Sequence, residues 1–260
     1  MTEAVDVTCP RLDSATWIRT FAPNPKAQLR LVCFPHAGGS ASFFFPISTA
    51  LSGLDIEVLA VQYPGRQDRR NEPPITDMGA LADSVTEALQ PWSADRLAFF
   101  GHSLGATLAF EVARRMASAP EILVASGRRA PSRRREEALH RSTDAEIVAE
   151  LRSVGGTDAI LLQDEELRAM LLPAVRADYT AIENYECDPD ETVIDSPITV
   201  FVGDRDPYAT LDEARAWRGH TTGQFNLHTF NGGHFYLTAA PKETITRLTE
   251  VLTPYCTSQE

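Results

Sequence analysis

What the chain lacks narrows its class first. Its four cysteines in 260 residues, Cys9, Cys33, Cys187 and Cys256, are too scattered for a zinc site and too few for a disulfide framework. They read as free thiols of a reducing, cytoplasmic compartment. No run approaches the roughly 20 apolar residues of a membrane helix. The start, Met1-Thr2-Glu3-Ala4-Val5-Asp6, has neither the basic nor the apolar region of a secretory signal. Positive charge is also short: 24 Lys and Arg stand against 36 Asp and Glu, a net charge of −12. That balance argues against nucleic acid or an anionic membrane as partner. No lysine follows the glycine-rich turn at Gly38-Gly39, so the nucleotide-binding pattern G-x-x-x-x-G-K-[ST] is missing. Neither a cofactor nor a metal is expected. With 43% hydrophobic and 23% charged residues, the chain reads as one globular domain spanning residues 1–260.

What is present centres on Leu97-Ala98-Phe99-Phe100-Gly101-His102-Ser103-Leu104-Gly105-Ala106. A short apolar run enters Gly101-His102-Ser103-Leu104-Gly105, and a helix-favouring segment leaves it. This is the G-x-S-x-G nucleophile elbow in its required strand–turn–helix context. So tight a turn forces the serine into strained backbone angles, and its flanking positions admit only glycine. Ser103 Oγ is then exposed at the strand end, above a helix N-terminus that favours negative charge.

Strands are expected at Trp17 to Phe21 (a short edge), Gln28 to Phe34, Ile56 to Val61, Glu121 to Ser126, Pro197 to Val202 and Phe225 to Phe230. Helices are expected between them, including Ser42 to Leu51 and Asp77 to Gln90, the latter capped by Thr76. Of Phe43, Phe44 and Phe45, some are expected to line a ligand channel or pack under a lid. The alternation predicts an α/β-hydrolase-like fold, a mostly parallel sheet with helices on both faces. Residues 128–189 break it with three helical patterns, Thr143 to Val154, Asp164 to Leu172 and Pro173 to Tyr185. That insertion reads as a helical lid, with Gly155-Gly156 as its hinge.

The order Ser103, Asp206, His234 is that of hydrolases built on this elbow. Each residue follows a strand, so all three fall on one C-terminal sheet edge. His234 is the expected general base, and Asp206 the residue that orients it. Asp204 is the rival acid, which spacing alone does not exclude; Asp206 is favoured because it lies further past the strand end, where its side chain can reach His234, and Asp204 reads as a turn residue. The loop after Phe34 would supply the Ala37 amide to an oxyanion hole, with the Leu104 amide as its partner. His36 is expected to brace that loop, whereas His140, His220 and His228 read as solvated or structural.

Six motifs together carry a family resemblance: Phe34-Pro35-His36-Ala37-Gly38-Gly39, Tyr63-Pro64-Gly65-Arg66, Gly101-His102-Ser103-Leu104-Gly105, Leu172-Pro173-Ala174-Val175-Arg176-Ala177-Asp178-Tyr179, Gly203-Asp204-Arg205-Asp206-Pro207 and Gly232-Gly233-His234-Phe235-Tyr236. Through them the chain resembles the type II thioesterases that accompany polyketide synthases and nonribosomal peptide synthetases. The resemblance implies hydrolysis of stalled or wrongly primed acyl groups from the phosphopantetheine arms of acyl or peptidyl carrier proteins. A monomer is expected. Rival readings are a chain-terminating fatty-acyl or polyketide thioesterase, a carboxylesterase of small esters and, from another class, a catalytically silent receptor. The absence of flanking carrier sequence favours the discrete editing type. Arg128, Arg129, Arg133, Arg134 and Arg135 form the densest basic run. It either docks an acidic carrier or is a solvated lid entry paired with nearby glutamates.

Overall fold

The structure, a computed structural model, describes residues 13–156, 162–187 and 193–256. Cys9 lies outside them. Among the described residues, seven strands form one sheet: β1 (Ile18–Arg19), β2 (Leu29–Phe34), β3 (Ile56–Val61), β4 (Leu97–His102), β5 (Ile122–Ser126), β6 (Ile198–Gly203) and β7 (Phe225–Phe230). Their spatial order is β1-β3-β2-β4-β5-β6-β7, with β1 antiparallel to β3 and every other neighbour parallel. The chain adopts the α/β-hydrolase architecture. Parallel strands covered on both faces need apolar side chains on both, which is why β3, β4, β5 and β6 read as near-continuous hydrophobic runs and are buried throughout.

The helices are α1 (Ser14–Trp17), α2 (Phe45–Leu51), α3 (Met78–Ala88), α4 (Leu104–Arg115), α5 (Asp144–Val154), α6 (Glu165–Glu183), α7 (Leu211–Arg215), α8 (Tyr236–Ala239) and α9 (Pro241–Leu252). Successive residues of a strand face opposite sides, so β2 feeds two cores. Val32 and Phe34 join the face holding α3, α4 and Trp217. Leu29, Leu31 and Cys33 join the face holding Phe44, Leu248 and Leu252. No described helix is long and apolar enough to cross a membrane.

Three local expectations are corrected. Asp77, not Thr76, caps α3, because its carboxylate accepts the Ala80 amide at 2.7 Å. The aromatic run opens with a 3-10 turn over Ala41–Phe44 before α2 begins. And the two helical patterns that meet at Pro173 are one 19-residue helix, α6, with the proline inside it. A proline within a helix forfeits one backbone hydrogen bond and crowds the preceding turn. The helix continues because Leu172, Ala174, Val175 and Ala177 on either side of Pro173 are buried.

Between β5 and β6, α5 and α6 share a small core of their own, built from Ile147, Val148, Leu151, Leu162, Leu172 and Val175. Thr143 and Glu146 cap α5 reciprocally, and α5 ends at Gly155, which with Gly156 holds positive φ (78° and 85°). Pro173 itself is exposed. Pro173→Ala should therefore restore a helical amide without opening a cavity, and raise Tm by several degrees in thermal unfolding. A fall in Tm would mean that α6 needs the proline.

Candidate active site

β4 delivers Ser103 at φ 55° and ψ −119°, a conformation that costs on the order of 1–3 kcal/mol and is held only by its surroundings. Its amide donates to the Ser126 carbonyl of β5 at 2.8 Å. The flanking glycines are obligatory. A Cβ at Gly101 would lie 2.1 Å from the Gly105 carbonyl oxygen, and one at Gly105 would lie 2.0 Å from that of Phe34. Close packing of α4 across β4 and β2 thus leaves no room for a side chain on either side of the serine. Leu104 opens α4, and neither its amide nor that of Ala37 finds an acceptor among the described residues.

Asp206 follows β6 and His234 follows β7 on the same sheet edge. Both carboxylate oxygens of Asp206 lie 3.0 Å from His234 Nδ1, and both side chains are almost fully buried. Asp206 Oδ1 also accepts the Tyr208 amide at 2.9 Å. Asp204, by contrast, accepts the Gly232 amide at 2.8 Å and stays half exposed, tying together the turns after β6 and β7. The edge therefore brings Asp206, not Asp204, to His234. Ser103 and His234 line one cavity without a hydrogen bond between them, a separation typical of such sites before substrate closes them.

Two further histidines crowd this centre. His102 Nδ1 lies 2.9 Å from Ser126 Oγ, which lies 2.6 Å from the Tyr236 hydroxyl. The His102 ring is 4.9 Å from that of His234. Burial, reinforced by His234 and His36, holds the His102 pKa well below the usual histidine value. Burial, then His234 and Arg66, holds His36 down to about 3. Both rings stay neutral near pH 7, so neither adds a positive charge beside His234. His36 packs on Phe43 (4.5 Å) and Phe235 (4.8 Å), in keeping with a loop brace. Of the two roles expected for the phenylalanine run, lining the cavity is not seen, since Phe43, Phe44 and Phe45 are not among its lining residues. Phe44 is buried in the core, exposed Phe45 meets Phe21, and Phe43 sits behind His36.

Residues 35–39 are held by groups from two distant segments. Asp178 of α6 accepts the Gly38 amide at 2.7 Å and two hydrogen bonds from the Arg66 guanidinium, at 2.7 and 2.8 Å. Arg66 also donates to the Gly39 carbonyl at 3.1 Å. Gly38 itself has φ +73°, and a Cβ there would lie 2.6 Å from Val175 of α6. Arg66 and Asp178 appear in the family motifs, but sequence reasoning gave neither a role. A signal was there: Asp178 falls on the stripe of Ala174, Val175, Ala181 and Ile182, where an isolated acid must find a partner.

The cavity, about 330 Å³, lies between the sheet edge and α5 and α6, with Leu151, Val154, Tyr179 and Ile182 along its walls. The basic run is not a free positive face. Arg129 pairs with Glu137, Arg134 with Glu186 and Arg135 with Glu213. Of the remaining histidines, His140 pairs with Glu183, His220 meets Ser132, and His228 lies against Phe201.

The family model described as a thioesterase domain matches residues 29–252. The chain belongs to the thioesterase family. It is 50% identical over 231 residues to the thioesterase PikA5 of Streptomyces venezuelae, covering 87% of this chain and 82% of that one. It is 48% identical to a probable cadicidin biosynthesis thioesterase of Streptomyces griseus, over 93% of this chain and 67% of the relative. The solved structure of BorB, a type II thioesterase from the borrelidin biosynthetic cluster, superposes with a TM-score of 0.84 at 47% identity, covering 92% of this chain and 98% of BorB.

In this thioesterase, removing one partner of the buried Arg66–Asp178 pair strands the other charge, at a cost of about 3–5 kcal/mol. Asp178→Ala should lower the denaturation midpoint accordingly and reduce turnover. Arg66→Met combined with Asp178→Leu should recover much of the stability but not the turnover. Recovery of both would show that the pair does not hold the Ala37 loop for catalysis.

Proposed function

We propose that this thioesterase hydrolyses acyl groups from the phosphopantetheine arms of acyl or peptidyl carrier proteins, clearing aberrant or stalled chains in polyketide or nonribosomal peptide biosynthesis, with Ser103, His234 and Asp206 as its triad. The observation that carries the chemistry is the Asp206–His234 pair opening into the same cavity as a serine held at a strained elbow. The substrate class is supported by the relatives' names, a probable cadicidin biosynthesis thioesterase and above all BorB, a type II thioesterase from the borrelidin biosynthetic cluster.

In the proposed reaction Ser103 Oγ attacks the thioester carbonyl while its proton passes to His234 Nε2. Asp206 keeps Nδ1–H pointed at its carboxylate and offsets the imidazolium charge. The Ala37 and Leu104 amides, which have no acceptor of their own among the described residues, receive the oxyanion. The thiolate of the arm departs and takes the proton from His234. Water then attacks the acyl-serine with His234 again as base, releasing the acid and free Ser103. A thiolate leaves readily, so deacylation and water access weigh heavily in the overall rate.

Residues 128–189 serve as the lid over this cavity. Support comes from the separate core shared by α5 and α6, and from the positive-φ pair Gly155-Gly156 at the end of α5. The carrier is the partner, and the cytoplasm, where loaded carriers reside, is the location.

Ser103→Ala and His234→Ala should each lower kcat on an acyl-carrier thioester by on the order of 10⁴–10⁶ while leaving the unfolding transition in place. Asp206→Asn should lose more activity than Asp204→Asn. The matched oxygen ester should be the poorer substrate. Faster cleavage of a free small ester than of the carrier-bound thioester would instead favour a carboxylesterase.

A further inference from the structure

Within the cavity one cation has no hydrogen-bond partner among the described residues. Besides His234, four side chains that carry charge line it: Arg128, Glu137, Glu150 and Glu183. The three glutamates are committed. Glu137 takes Arg129. Glu150 accepts the Tyr208 hydroxyl. Glu183 takes His140 and the amides of Leu139 and His140, each at 3.0 Å. The Arg128 guanidinium has neither an ion-pair nor a hydrogen-bond partner among the described residues, although the residue is only 8% exposed.

Its backbone is fixed close to the reacting groups. Arg128 follows β5 by two residues, next to Gly127, where a Cβ would lie 2.6 Å from His102 Cε1 and 3.3 Å from His234 Cε1. The Arg128 carbonyl accepts the Trp217 indole N–H at 2.9 Å, and the Ala130 amide donates to the Glu213 carbonyl at 3.1 Å. Burial, then the nearby Arg129, lowers its pKa to about 10, which still leaves it charged at neutral pH. Glu137 offsets part of that burial electrostatically, but no described side chain is hydrogen-bonded to the guanidinium, and its planar fork suits an oxygen acceptor.

We infer that Arg128 is a specificity-determining residue, whose guanidinium receives a hydrogen-bond-accepting oxygen carried on the acyl chain being released. The inference rests on the thioesterase function proposed above and deepens it: the cavity would favour chains bearing keto or carboxylate oxygen over plain alkyl chains. The pantetheine phosphate is the other oxyanion that approaches this site. It is esterified to the carrier surface and stays outside, whereas Arg128 lines the cavity beside Ser103. The apolar walls at Leu151, Val154 and Ile182 would hold the methylene part of the chain.

The test compares N-acetylcysteamine thioesters of hexanoate, 3-oxohexanoate and adipate on the whole enzyme. The native protein should show a higher kcat/KM for at least one oxygenated chain than for hexanoyl. In Arg128→Met that preference ratio should fall about 10- to 100-fold, the range expected for losing a hydrogen bond to a charged group. Arg128→Lys, which keeps the charge but loses the fork, should show an intermediate ratio and serves where the Met variant does not fold. The arm that loses its preference identifies the oxygen as keto or carboxylate. An unchanged ratio in folded variants, or no preference in the native protein, would overturn the inference while leaving thioester hydrolysis intact. Failure of the native protein to cleave any thioester, carrier-bound or free, would overturn the proposed function and this inference with it.

Discussion

The buried ion pair between Arg66 and Asp178, closed by the Gly38 amide, ties this molecule together at its working edge. Each of its three members comes from a different part of the chain: the turn after β3, the middle of α6 and the loop after β2. Two charges at 6% and 2% side-chain exposure are tolerable only with near-ideal geometry and full hydrogen bonding, and both conditions hold. The consequence is mechanical. The helix that walls the cavity and the loop that carries the Ala37 amide cannot shift independently, so movement of α6 would be felt at that amide. Gly38 is part of the same constraint, because α6 approaches the loop so closely that Val175 occupies the space of a side chain there.

The second constraint is the strained serine. Its cost is met by the packing of α4 across β2 and β4, where two glycines permit backbone contacts that no other residue allows. Behind it, His102, Ser126 and Tyr236 form a buried chain of hydrogen-bonding groups, and His36 supplies a neutral ring on the other side. Among the described residues, the groups in contact with the His234 ring are neutral aromatic rings and the Asp206 carboxylate. The Asp206 carboxylate lies at Nδ1, which leaves Nε2 as the ring's other nitrogen in the cavity that holds Ser103.

Much of this was legible in the sequence because parallel strands buried on both faces read as compact apolar runs, and their ends are marked by glycine-rich turns. Ile56–Val61 and Phe225–Phe230 begin and end where the patterning places them. The choice between Asp204 and Asp206 followed from distance past the strand end, and the structure puts only Asp206 against His234. What was not legible depends on tertiary contact. Pro173 reads as a helix break, yet burial of its neighbours carries the helix through. Asp77 rather than Thr76 caps α3, because which of two adjacent capping residues turns inward is set by the path of the incoming chain. The arginine run leaves docking and pairing with nearby glutamates both open, and the fold brings Glu137, Glu186 and Glu213 to three of its members. Arg128 looked like the rest of that run, and only the folded cavity separates it from them.

The proposed triad requires the acyl group to pass through Ser103. The most direct measurement is denaturing mass spectrometry of the enzyme, quenched within milliseconds of mixing with an acyl-loaded carrier protein and then digested. The account predicts a transient mass increase equal to the acyl group on the peptide carrying Ser103, abolished in Ser103→Ala. An acyl adduct on any other residue, or turnover of the carrier with the Ser103 peptide never modified, would contradict it.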